Sequence, residues 1–162
     1  MLMQKRFSLR APSDQDASAF VRKTLPKICS PPLGPVADIA CGFGRNAFYF
    51  ARRGFRVYCL DNDDSALARI ATYRPANEDL IPISIILDDQ ILPFEADSLG
   101  GALCIYSWRY QWCDSLIPKI GHLVRAGGFI SIETVAGRGQ NYLELPRAGY
   151  IALQLRDRKS VV

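Results

Sequence analysis

The chain has 162 residues, of which 49% are hydrophobic and 22% charged, and its formal net charge is +4. These proportions exclude a disordered segment, and the length suits one domain that buries roughly 70% of the surface of its unfolded form. Lysine and arginine are spread along the chain, with short clusters at Arg52, Arg53 and Arg56 and at Arg156, Arg158 and Lys159, so a solvated face accounts for them and no nucleic-acid partner is expected.

From the amino terminus, Asp14 to Ile28 combines capping acids and serines with Ala17, Phe20, Val21, Leu25 and Ile28. That spacing predicts a helix with one apolar stripe, packed at the sheet edge. Pro31, Pro32, Gly34 and Pro35 end it and lead into a strand. Val36 to Ala40, the turn Gly42-Phe43-Gly44, a helix from about Arg45 to Arg53 stopped at Gly54, and a strand from Phe55 to Leu60 closed by Asp61 together read as one βαβ unit.

Asp63 and Asp64 can cap the next helix, whose inward residues are Ala66, Leu67, Ile70 and Ala71. Ile81 to Leu87 reads as a strand buried on both faces and ends at Asp88-Asp89. Gly101 to Tyr106 is the expected fourth strand, with Ser107 to Tyr110 as a loop above the pocket. A helix from near Ser115 takes Pro118 in its first turn, turns Leu116, Ile120, Leu123 and Val124 inward, and ends at Gly127-Gly128. A fifth strand closes at Glu133, and a helix is expected from about Ala148 to Leu155.

The glycine turn carries the chemistry. A residue without Cβ lets a ligand lie on main-chain N–H groups, and in open α/β sheets ligands sit beyond the carboxyl ends of the strands, where Gly42, Gly44 and Asp61 meet. The spacing Gly42-x-Gly44-x-x-Ala47 with Asp61 about 20 residues on also satisfies the dinucleotide fingerprint, so an NAD-dependent oxidoreductase is one alternative. Asp38 favours a cationic cofactor, because a carboxylate repels a pyrophosphate and attracts a sulfonium or amino group.

Asp38 to Ala47, DIACGFGRNA, resembles motif I of class I S-adenosylmethionine-dependent methyltransferases, D-x-G-C-G-x-G, with Ala40 in place of the first glycine. DDQILPF and RAGGFISIE resemble two further elements of that family, and SWRY with IETVAGRGQNYLELP is loosely similar to small bacterial methyltransferases of the tellurite-resistance type. The resemblance implies a Rossmann-like, doubly wound α/β fold with a mostly parallel sheet and helices on both faces. The whole chain, 1–162, would be a single domain with an amino-terminal helix at about 14–28, a core at 36–134 and an extension at 135–162.

The same resemblance implies S-adenosylmethionine as cofactor and methyl transfer to a small-molecule acceptor. Gly42, Gly44 and Ala40 would lie against the methionine part, Asp38 toward its ammonium, Asp61 toward the ribose, Asn62 toward the adenine or ribose, and Asp88 or its neighbour Asp89 toward the adenine. Tyr106 would contact the cofactor and, with Arg109 and Glu133, stand where an acceptor enters, while Trp108, Tyr110 and Trp112 could either stack on a planar acceptor or form hydrophobic cover over the pocket. A tight turn and plain caps would use the same glycines and acids. The lone His122 falls on a polar helix side and is assigned no catalysis, and catalytic residues stay unassigned.

Few residues follow the last expected helix, so the terminal strand hairpin of the family is shortened or missing. Either the chain is a truncated form or its sheet is completed otherwise, by a second copy pairing along the exposed edge for example; a non-catalytic scaffold module is a further alternative. Cysteines 29, 41, 59, 104 and 113 form no C-x-x-C pair and are odd in number, which points to free thiols, a reducing compartment and no metal. No apolar run approaches the ~18 residues that span a bilayer, so a cytoplasmic protein without membrane partner is expected.

Overall fold

A computed structural model describes residues 10–28, 33–75, 79–87, 91–105, 113–133 and 151–154. The elements run in the order of a 3-10 turn (Asp14–Asp16), α1 (Ala19–Ile28), β1 (Val36–Ile39), α2 (Arg45–Ala51), β2 (Val57–Asp61), α3 (Asp64–Tyr73), β3 (Leu80–Ser84), β4 (Leu99–Ile105), α4 (Cys113–Leu123), β5 (Val124–Glu133) and β6 (Ile151–Gln154). The strands form one sheet in the order β3-β2-β1-β4-β5-β6. The first five are parallel and β6 is antiparallel to β5. Strand order reverses between β1 and β4, which places the crevice for a ligand at their carboxyl ends.

Burial on both faces explains the apolar character of the central strands. One face packs Val36, Val57, Leu103 and Phe129 against Phe48 and Phe50 of α2 and Ile70 of α3. The other packs Ala37, Ile39, Leu60, Ala102 and Ile130 against Leu116 and Ile120 of α4. Helix α2 is enclosed almost all round, since residues 46 to 51 are all buried. The segment before α1 covers it, tied down by Asp14, which pairs with Arg52 at 3.0 Å and Arg53 at 2.9 Å.

Several boundaries differ from expectation. The first helix is split, because Ser13 and Asp16 close a short capped turn and α1 starts afresh at Ala19, packed on β5. Strand β3 is an outer strand with partly exposed residues, not one buried on both faces, and it stops at Ser84 where its partner β2 runs out at Asp61. Its Pro82 suits that place, since an edge strand has a side on which no ladder N–H is needed.

Helix α4 starts two residues early, so the exposed Pro118 lies in its interior and not in its first turn. Val124 is buried as expected but opens β5 in place of ending the helix. Ala71 of α3 points outward. Over 151–154 the chain is a strand where local composition suggested a helix. The unpaired edge of β5 offers a ladder of hydrogen bonds, with Ile132 opposite Ile151 and Phe129 opposite Gln154, and that pairing overrides a weak helical preference. The edge expected to be open on β5 is therefore covered by one antiparallel strand. Residues 160–162, where a second copy was expected to pair, lie outside the described residues.

Candidate functional site

Three residues between β1 and α2 adopt left-handed backbone: Ala40 at φ 55°, Gly42 at 54° and Gly44 at 74°. The turn is closed by Gly44 N–H donating to the Cys41 carbonyl at 3.0 Å, and it is fastened to β2 by Cys41 N–H donating to the Leu60 carbonyl, also at 3.0 Å. Ala40 occupies a conformation in which a Cβ costs roughly 1–2 kcal/mol, which is the physical reason a glycine is commoner at this point of the motif.

The two glycines serve different needs. Among the described residues a Cβ on Gly42 would meet nothing within 4 Å, so the turn opens there. A Cβ on Gly44 would sit 2.9 Å from Cδ1 of Ile70, so this residue lets the start of α2 close on α3.

Asp61, buried at the end of β2, reaches under the turn. Its Oδ2 accepts from Gly42 N–H at 2.7 Å and its Oδ1 from Asp63 N–H at 3.0 Å. The carboxylate thus holds the glycine turn and the entry to α3 in one geometry. Asp63 caps α3 by accepting from Ser65 and Ala66 N–H, and Asp64 accepts from the Ser84 hydroxyl at 2.7 Å. Asn62 is exposed beside Asp61.

Asp38 lies deeper, 1% exposed on β1. Burial pushes its carboxyl up to about 7, while the nearby Arg45 charge and the Ala47 N–H draw it down and Asp61 adds repulsion. Among the described residues its Oδ2 has no hydrogen-bond partner. A buried carboxyl oxygen left unpaired is costly, and its place beneath a turn that opens at Gly42 is what a cationic or N–H-bearing ligand group would relieve.

The thiols nearby are poor nucleophiles. A hydrogen bond with Cys59, followed by burial, raises Cys41, and burial pushes Cys104 up to about 12. All three are free and buried. Among the described residues no cluster of His, Cys, Asp and Glu could hold a metal ion, and no helix is long and apolar enough to cross a membrane.

The structure therefore brings together Asp38, Ala40, Gly42, Gly44, Asp61 and Asn62. Asp88, Asp89, Tyr106, Trp108, Arg109, Tyr110 and Trp112 lie outside the described residues. Glu133 is not open to an entering acceptor: it is 3% exposed and accepts from the hydroxyl of Ser18. Ser18 also accepts from Phe20 and Val21 N–H and donates its own N–H to Asn46 Oδ1 at 3.0 Å. This joint between α1, α2 and β5 escaped the sequence reading, although Asn46, the one neutral polar side chain in the apolar run of α2, was its signal. His122 is exposed on α4.

Among curated proteins no sequence relative is found. Among solved structures, the PH0226 protein of Pyrococcus horikoshii superposes with a TM-score of 0.62 at 18% identity, over 72% of this chain and 55% of that one. An S-adenosylmethionine-dependent methyltransferase of Mesorhizobium loti gives 0.58 at 23% identity, over 72% and 54%. The glycopeptide N-methyltransferase MtfA, complexed with S-adenosylmethionine, gives 0.61 at 17% identity, over 95% and 71%. The chain thus spans little more than half the length of the first two, and the likeness establishes a shared fold. The family model described as "Methyltransferase domain" matches residues 36–128, more than half of the sequence and all of the turn built here. With the strand order, the left-handed turn and the acid closing β2 already in place, that match assigns the chain to the methyltransferase-domain family.

Proposed function

We propose that this chain binds S-adenosylmethionine and transfers its methyl group to a small-molecule acceptor. The observation that carries the reading is the unpaired Asp38 oxygen beneath a turn that is open at Gly42. A carboxyl there complements a positively charged group, whereas a pyrophosphate at the same turn would face the Asp38 and Asp61 carboxyls together. Neighbours of the same fold include MtfA, complexed with S-adenosylmethionine, and a geranyl diphosphate methyltransferase complexed with sinefungin, which supports both the cofactor and an acceptor of small size.

In this reading Asp61 accepts from the ribose hydroxyls with the lone pairs its two N–H partners leave, and Asn62 stands beside it. Asp38 faces the ammonium of the methionine part, and the backbone of Ala40, Gly42 and Gly44 bounds it. Asp88 or Asp89 approaches the adenine, and Tyr106 stands at the mouth. The sulfonium, when bound, supplies a methyl group activated for displacement. The chain's own residues then have to align donor and acceptor, exclude water and hold charge, and none of them needs to act as a nucleophile.

Calorimetry on the full chain with S-adenosylmethionine, S-adenosylhomocysteine and NAD tests this. Binding of the first two and not the third is expected; binding of NAD alone would reverse the assignment. Asp61→Ala should weaken S-adenosylmethionine by about 1–3 kcal/mol, the cost of leaving hydrogen-bonding groups of the ribose unpaired. An unchanged affinity would remove Asp61 from the site.

A further inference from the structure

Two carboxyls lie beneath the glycine turn, Asp38 on β1 and Asp61 at the end of β2, and they are not equivalent. Asp61 accepts Gly42 N–H at 2.7 Å on one oxygen and Asp63 N–H at 3.0 Å on the other, the arrangement of a carboxylate. Asp38 is 1% exposed and accepts from Ala47 N–H, while among the described residues its Oδ2 has no hydrogen-bond partner. One acid is fully supplied with donors and the other is not.

The groups that face Asp38 decide which acid keeps a proton. Burial is the strongest influence and favours the neutral form; the Arg45 charge on α2 opposes it, and Asp61 on β2 reinforces it by repulsion. Among the described residues the other titratable groups turned toward Asp38 are Cys41 in the turn, raised by its hydrogen bond with Cys59 and by burial, and Cys104 on β4, pushed up to about 12 by burial. Both stay neutral thiols and add no charge. When two acids interact in one site, the proton goes to the one with fewer donors, which here is Asp38. An arriving ammonium reverses that preference, because it brings both a positive charge and the N–H donor that Oδ2 lacks.

We propose that the ligand-free chain keeps Asp38 as the neutral acid and that cofactor binding ionises it, so that S-adenosylmethionine enters in exchange for one proton. The inference rests on the reading of this crevice as an S-adenosylmethionine site. The carboxyl O–H bond breaks, its proton passes to solvent, and the ligand keeps its own ammonium protons. Affinity therefore rises as pH climbs through the range in which the ligand-free carboxyl titrates, whereas the stability of the ligand-free fold declines over that range.

Calorimetry of the full chain with S-adenosylhomocysteine, which carries the same ammonium, tests the exchange. Titrations at pH 6 in buffers of different ionisation enthalpy should show release of close to one proton, and affinity should rise at least tenfold from pH 5.5 to 7.5. In Asp38→Asn, with thermal melting showing that it is folded, the release should vanish and affinity should change less than twofold over the same range. Infrared difference spectra of the parent with carbon-13-labelled aspartate need no variant: at pH 6, binding should remove a protonated-carboxyl band and add a carboxylate band. Binding with unchanged affinity across the pH range and no proton release would overturn the exchange and leave the cofactor reading intact. Release that persists in Asp38→Asn, or spectra without the carboxyl change, would overturn Asp38 as its source. Failure to bind at every pH would overturn the cofactor reading and this proposal with it.

Discussion

Asp61→Asn isolates the structural duty of this residue from any duty to a ligand. The carboxylate offers a separate oxygen to each of two N–H donors, Gly42 at 2.7 Å and Asp63 at 3.0 Å. An asparagine has one carbonyl oxygen, so its NH2 must face one of those donors. A hydrogen bond to a charged acceptor is worth about 1.5–3 kcal/mol, and the loss of one with the other made neutral is expected to cost about 2 kcal/mol. In a domain of this size each kcal/mol lowers Tm by roughly 2–4 °C, which gives a drop of about 4–8 °C without ligand. Asp38 modulates the result, because ionised Asp38 is repelled by Asp61 and the substitution removes that repulsion. The drop should therefore be larger at pH 6, where Asp38 is mostly neutral, than at pH 8. Circular-dichroism melts of both proteins at the two pH values measure it. A variant melting within 1 °C of the parent at pH 6 would show that the carboxylate does not hold the turn in solution.

Asp38→Asn tests the buried carboxyl itself. Its pKa rises from 3.8 to about 7 in the fold, so between those values the folded chain keeps a proton that the unfolded chain has lost, and stability falls as pH rises through that window. Melting of the parent should decline from pH 5 to 7.5 relative to Asp38→Asn; parallel profiles would contradict the shift. The glycines should separate: Gly44→Ala, driven into Ile70 at 2.9 Å, is expected to lose about 2–4 kcal/mol from overpacking and left-handed strain. Gly42→Ala should lose only about 1 kcal/mol in stability yet at least tenfold in S-adenosylhomocysteine affinity, since among the described residues its Cβ meets nothing within 4 Å. Equal melting losses for the two would refute that division. Ala40→Gly relieves the φ of 55° and should raise Tm or leave it unchanged; a fall of several degrees would refute the strain.

Much of the central unit was legible because its signals are local. Val36 to Asp61 could be read as strand, turn, helix and strand from apolar runs broken by glycines, and the structure has these elements within a residue or two. What eluded the sequence depends on neighbours. Ile81 to Leu87 has the composition of a central strand, yet β3 is the outer strand of the sheet because none of the later described strands pairs with it. Residues 151–154 become strand only because β5 presents a free ladder. Asp61 looked like a ligand acid or a cap, and its bond to Gly42 N–H appears only once β1 and β2 are in register. Glu133 shows the same limit, since its partner Ser18 is 115 residues away.

That long-range joint also bears on how the molecule assembles. A contact closing so large a loop gains nothing until the intervening βα units have formed, so it belongs to the late stages of folding. Interactions made late act mainly as brakes on unfolding. The Ser18–Glu133 bond is accordingly a clasp expected to engage late and release early, so that the amino-terminal cover lifts from the rim of the sheet before the sheet itself gives way.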